Sequence, residues 1–106
     1  MANRRYRISR RAHADLQGIA SYIGARNPAA ADRVIDALLG SFSTLADSPE
    51  IGTKRDDLRS GVRVYSPPRP AQNYVVLFYL SDDGMEIAAV VHGARNWPEL
   101  FSRGDK

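Results

Sequence analysis

The chain has 106 residues, 43% hydrophobic and 25% charged, a balance that fits one globular domain with its own core and excludes a disordered chain. It has no cysteine, which removes disulfides, thiol catalysis and thiolate metal sites together. The net charge of +3 sets thirteen arginines and two lysines against twelve acids; arginine is the choice where a carboxylate or phosphate is held by two hydrogen bonds at once.

The first eleven residues carry Arg4, Arg5, Arg7, Arg10 and Arg11 with no acid among them. Within this run, Arg5 to Ile8 (RYRI) alternates and predicts a short strand with Tyr6 and Ile8 on one face. MANRRYRISRRA lacks the apolar segment of a signal peptide, and no apolar run approaches the ~18 residues of a membrane span. The expectation is a cytoplasmic protein that does not engage membranes.

Ser9 predicts the cap of a helix reaching about Ala25, with Ala12, Leu16, Ile19, Ala20 and Ile23 at helical spacing. Roughly opposite that face, at about 100° per residue, runs a stripe of small residues: Ala14, Gly18, Ser21 and Ala25. A glycine inside a helix costs about 0.5–1 kcal/mol relative to alanine, and small side chains let another backbone come close. The stripe is therefore a candidate seat for a partner helix. Asn27-Pro28 predicts a second helix, capped by asparagine and opened by proline, with Ala31, Val34, Ile35, Leu38, Phe42, Leu45 and Ala46 facing the core. Ser48-Pro49 ends it. Its own small stripe, Ala37, Gly40, Ser41 and Thr44, is expected to pack against the first helix.

The remainder predicts strands. Val62 to Tyr65 is short, the three prolines of SPPRPAQ (66–72) exclude a strand interior there, and YVVLFYL (74–80) is apolar on both faces as a central strand should be. Ser81-Asp-Asp-Gly84 predicts a tight turn with Gly84 available for positive φ, Met85 to Val91 a last strand, and Trp97–Phe101 a short helix. The fold class expected is α+β: an N-terminal strand, an antiparallel helical hairpin, then a three-stranded antiparallel meander with the helices on one face of the sheet. One domain should span 1–106, with 1–4 and 102–106 flexible.

In order and at their spacings, several runs carry a resemblance: Ser9, Ala12, Asp15, Leu16 and Ile19 with Tyr22-Ile23; Leu45, Ala46, Pro49 and Gly52; Arg55, Asp57, Leu58, Gly61 and Arg63; the strand YVVLFY; and VVHGARN at 90–96. Over residues ~6–100 the chain resembles the ParE branch of the RelE/ParE toxin superfamily. The resemblance implies the growth-inhibiting toxin of a type II toxin–antitoxin pair, neutralised by a ParD-like antitoxin through which alone it meets DNA. ParE-like toxins poison DNA gyrase, whereas RelE-like relatives cut mRNA on the ribosome. An antitoxin helix is the natural occupant of the first helix's stripe, which marks Ala14, Gly18, Ser21, Tyr22 and Ala25 as antitoxin-binding.

Fold does not choose between gyrase and ribosome, so the site must. Metal-free RNA cleavage needs a base, an acid and cations for the phosphorane charge. Arg63, His92 and Arg95 are the candidates if the chain is a nuclease, with His92 as base or acid. The tail GARNWPELFSRGDK, however, lacks the tyrosine that RelE-type nucleases carry there. The reading taken is a protein-binding toxin directed at gyrase, with no catalytic residue, cofactor or metal, and Arg63, His92, Arg95 and Trp97 as the target-binding set. Plainer roles stand beside these: His92 as a strand-end histidine bonded to backbone, and Trp97 as a cap on the core.

Overall fold

The computed structural model describes residues 5–103. Strand β1 (Arg5–Ile8) leads into helices α1 (Arg10–Gly24) and α2 (Pro28–Asp47), and a 3-10 turn at Pro49–Ile51 follows. Then come β2 (Thr53–Lys54), β3 (Val62–Tyr65), β4 (Tyr74–Ser81), β5 (Gly84–His92) and α3 (Trp97–Ser102). Ser9 and Asn27 cap the helices as their sequence positions require, accepting from the N–H groups of Ala12 and Ala30 at 3.0 Å. Among the described residues no helix is long and apolar enough to cross a membrane.

The meander is present as β3-β4-β5, but the sheet is larger than the sequence showed: five strands in the order β1-β5-β4-β3-β2. Two-residue β2 extends one edge, and β1 pairs parallel with β5, from Arg5 opposite Gly84 to Ile8 opposite Ile87. The α1–α2 hairpin covers one face, where Leu38, Phe42, Leu45, Val76, Phe78 and Ile87 are fully buried. Each such side chain contributes roughly 1.5–3 kcal/mol of burial. A second, smaller core lies on the other face, built from Leu58, Val62, Val75, Leu77 and Ala89 and closed by Phe101 of α3. The alternation along β4, apolar on both sides, reflects these two cores. Ser102 ends α3 and Arg103 caps it; of the segments expected to be flexible, 1–4 and 104–106 lie outside the described residues.

Two local expectations change. The β4–β5 turn has only Asp82 and Asp83 at its tip, with Ser81 paired to Gly84, and Gly84 does not take positive φ. The glycine that does is Gly61 (φ 84°), in the β2–β3 hairpin loop. Only half of the small stripe on α2 is packed: Ser41 is buried and Ala37 packs on the core, whereas Gly40 and Thr44 are exposed and a Cβ at Gly40 would meet nothing within 4 Å. Close approach between the helices comes instead at the hairpin's turn, where a Cβ on Gly24 would stand 3.7 Å from that of Ala31.

Gly52 has a steric role. A Cβ there would fall 2.5 Å from the buried ring of Phe78. Gly52→Ala is therefore expected to destabilise the fold by about 1–2 kcal/mol through overpacking, read as a lower urea midpoint with unchanged slope.

Candidate functional site

The S-x-x-A-x-x-D run turns out to be a stitch between helix and sheet. β1 stops at Ile8, which leaves the C-terminal half of β5 without a neighbouring strand on that side. A bulge between Leu77 and Phe78 leaves Ala88 unpaired. Ser9 meets both needs: its N–H donates to the Ile87 carbonyl (3.0 Å) and its hydroxyl to that of Ala88 (2.9 Å). Two turns along α1, Asp15 accepts the Val90 N–H at 2.9 Å and lies 3.5 Å from Arg11. Ala12, between them, is fully buried. Sequence reasoning gave Asp15 no role; its spacing from the Ser9 cap was the available signal.

Beyond this stitch α1 and β5 diverge, and a groove of about 920 Å³ opens between them. That is close to the volume of two turns of an α-helix about 10–12 Å across. One wall is α1, presenting Arg11, Ala14, Asp15, Gly18 and Tyr22. The floor is apolar, with Ile19, Ile23, Val34, Tyr74 and Val90. The opposite wall is the end of β5 and the start of α3: His92, Ala94, Arg95, Trp97 and Leu100. Tyr22 and Leu100 are 72% and 41% exposed, unusual for large apolar side chains and both on this groove. Burial, with a smaller contribution from nearby Tyr22, pushes the Tyr74 phenol up, so it remains a neutral hydrogen-bonding group at physiological pH.

The candidate residues therefore fall into three groups. Ala14, Gly18 and Tyr22, expected for a partner, share one groove with His92, Arg95 and Trp97, expected for a target. Ser21 and Ala25 are exposed but do not line it. Arg63 is elsewhere: it pairs with Phe78 across β3–β4, whereas His92 pairs with Tyr74 across β4–β5. That is four residues along β4, roughly 13 Å, plus two strand spacings of about 4.8 Å. Arg63 does not join His92 and Arg95 at one phosphate.

His92 is oriented by two contacts. Its Nδ1 accepts the Ala94 N–H at 3.1 Å, and its ring stands edge-on to Tyr74 at 5.3 Å between centroids. An Nδ1 that accepts a backbone hydrogen bond is unprotonated, so the neutral ring carries its proton on Nε2. Arg95 is exposed and makes no ion pair among the described residues. Trp97 is half-buried, packing on the second core and lining the groove.

A two-helix hairpin on a five-stranded mixed sheet, with a groove beside the first helix, makes this an α+β domain. The model for the ParE toxin of type II toxin–antitoxin systems (parDE) matches residues 6–97. A curated relative from Caulobacter vibrioides, named Toxin RelE2, is 38% identical over 86 residues, covering 80% of this chain and 90% of the relative. A solved chain from the chromosomal ParDE system of P. aeruginosa superposes with a TM-score of 0.70 at 19% identity, over 82% of this chain and 92% of that one. The chain belongs to the ParE toxin family of type II toxin–antitoxin systems.

Proposed function

We propose that this toxin arrests growth by binding a protein target, DNA gyrase, without chemistry of its own, and that a segment of a ParD-like antitoxin docks in the α1–β5–α3 groove. The observation that carries the docking site is the groove itself: small residues on one wall, an apolar floor, and exposed Tyr22 and Leu100 at its sides. Arg95, exposed on the rim and without an ion pair among the described residues, favours an amphipathic segment with acidic flanks. Binding rather than catalysis is supported by the separation of Arg63 from His92 and Arg95.

The second reading is a RelE-like, ribosome-dependent mRNA endoribonuclease, favoured by the name of the Caulobacter relative. His92→Ala separates the two. A binding toxin loses one contact of its target-binding set and no chemical step, so its growth inhibition falls by roughly tenfold or less. Loss of a general acid or base costs about 10²–10⁴-fold. Growth curves after titrated induction, with protein levels matched, read the difference. A loss of a hundredfold or more would reject the binding mechanism in favour of the nuclease.

A further inference from the structure

The groove has one firm wall and one short one. α1 has 15 residues and is stitched to β5, but α3 has only 6. Isolated helices below about 12–15 residues are marginal in water, so α3 depends on what grips it. Several of its polar contacts are internal: Asn96 to Glu99, Ser102 to the Glu99 carbonyl, and Arg103 to Glu99. Phe101 anchors it below, and one side chain reaches it from the other end of the second core. Arg59, in the β2–β3 loop, donates from Nε to the Phe101 carbonyl at 3.0 Å and lays its guanidinium 4.1 Å from the centroid of the Phe101 ring.

We propose that Arg59 is the positioning residue for the groove's second wall: by clasping Phe101 it fixes α3, and with it Trp97 and Leu100, at the spacing a docked segment requires. This rests on the groove as the antitoxin's docking site. Three effects act together at Phe101. The guanidinium adds a donor to a carbonyl in the last turn of the helix, where intrahelical partners run out. Its charge stands at the negative end of the helix dipole. Its face meets the aromatic ring.

The loop is stiff enough to hold such a clasp. Arg55 and Asp57 form a two-bond bridge at 2.9 Å each, Asp56 accepts the Gly61 N–H at 2.8 Å, and Leu58 is buried against Phe101 in the second core. The hydrogen bond from Arg55 holds the Asp57 carboxyl below its ordinary range. The bridge is therefore intact above the unfolded-state value and is lost as pH falls through the folded one. Both partners are exposed, so it sets loop shape and adds little stability.

Because Trp97 is the protein's one tryptophan and opens α3, its fluorescence reports the wall directly. In the free chain, Arg59→Ala is expected to red-shift Trp97 emission and to raise its quenching by acrylamide about threefold, through local loosening, while circular dichroism shows the sheet and hairpin still folded. In the complex with the co-encoded antitoxin, the dissociation rate is expected to rise about tenfold, since a wall that must be ordered on binding weakens the complex. Arg59→Lys, which keeps the charge but not the planar clasp, should fall between Ala and wild type. If Arg59→Ala does not fold, the lysine variant carries the test. Unchanged Trp97 quenching in a folded variant overturns the clasp, and faster quenching with an unchanged dissociation rate overturns its role in docking. Failure of docking itself would show separately, as a groove-filling change on α1 that leaves antitoxin affinity intact.

Discussion

Gly18→Trp is expected to weaken binding of the co-encoded antitoxin by at least about 100-fold, or about 2.8 kcal/mol at 1.4 kcal/mol per factor of ten. Gly18 lies midway along the α1 wall, and a Cβ there would meet no atom within 4 Å. The free toxin thus accepts the larger side chain, and loss of the helix-interior glycine favours folding by a few tenths of a kcal/mol, tryptophan gaining less than alanine would. The indole then occupies space a docked helix would need for close backbone approach. Affinity by calorimetry and thermal unfolding of the free chain should move independently: affinity down, melting temperature level or slightly up. Wild-type affinity in the folded variant would show that the antitoxin does not use this wall.

Asp15→Ala acts on the scaffold instead. It is expected to destabilise the chain by about 3 kcal/mol, because a hydrogen bond to a charged acceptor contributes about 1.5–3 kcal/mol and the Val90 N–H is left without its partner. Arg11 also loses the carboxylate 3.5 Å away. The consequence reaches the groove, since Asp15 fixes α1 to β5 where the two begin to diverge. A clear drop in the urea midpoint tests this. An effect below about 0.5 kcal/mol, the size expected of an ordinary surface change, would mean the stitch is incidental.

What the sequence made legible were the features encoded within a few residues: the Ser9 and Asn27 caps, the apolar faces of α1 and α2, the meander strands and the two-sided character of β4. Each rests on a local period or on a residue whose chemistry demands a position. Less accessible was whatever depends on distant partners. β2 is two residues long, too short for any period to mark it. The parallel β1–β5 pairing joins residues about eighty positions apart. Gly61 and Gly84 both follow turn-forming residues, and only the loop's hydrogen bonds decide which takes positive φ.

The site divided in the same way. Helical spacing revealed a small-residue stripe on α1, but not that its N-terminal half faces His92, Arg95 and Trp97 across one groove. Ser21 and Ala25 of the stripe lie off the groove although Tyr22 and Ile23 line it, so helix face rather than helix length separates them. Arg63 joined His92 on paper through a motif, yet strand register separates them. Arg59 carried no sequence signal at all, one arginine among thirteen, and its clasp on Phe101 spans 42 residues.

The most direct test of a toxin that binds gyrase is to add the purified chain, free of antitoxin, to DNA gyrase with supercoiled and relaxed plasmid, and in parallel to a translating extract. Accumulation of gyrase-dependent cleaved DNA or loss of supercoiling, with the mRNA in the extract intact, is the expected result. Cleaved mRNA with gyrase unaffected would contradict it and return Arg63, His92 and Arg95 to consideration as catalytic groups.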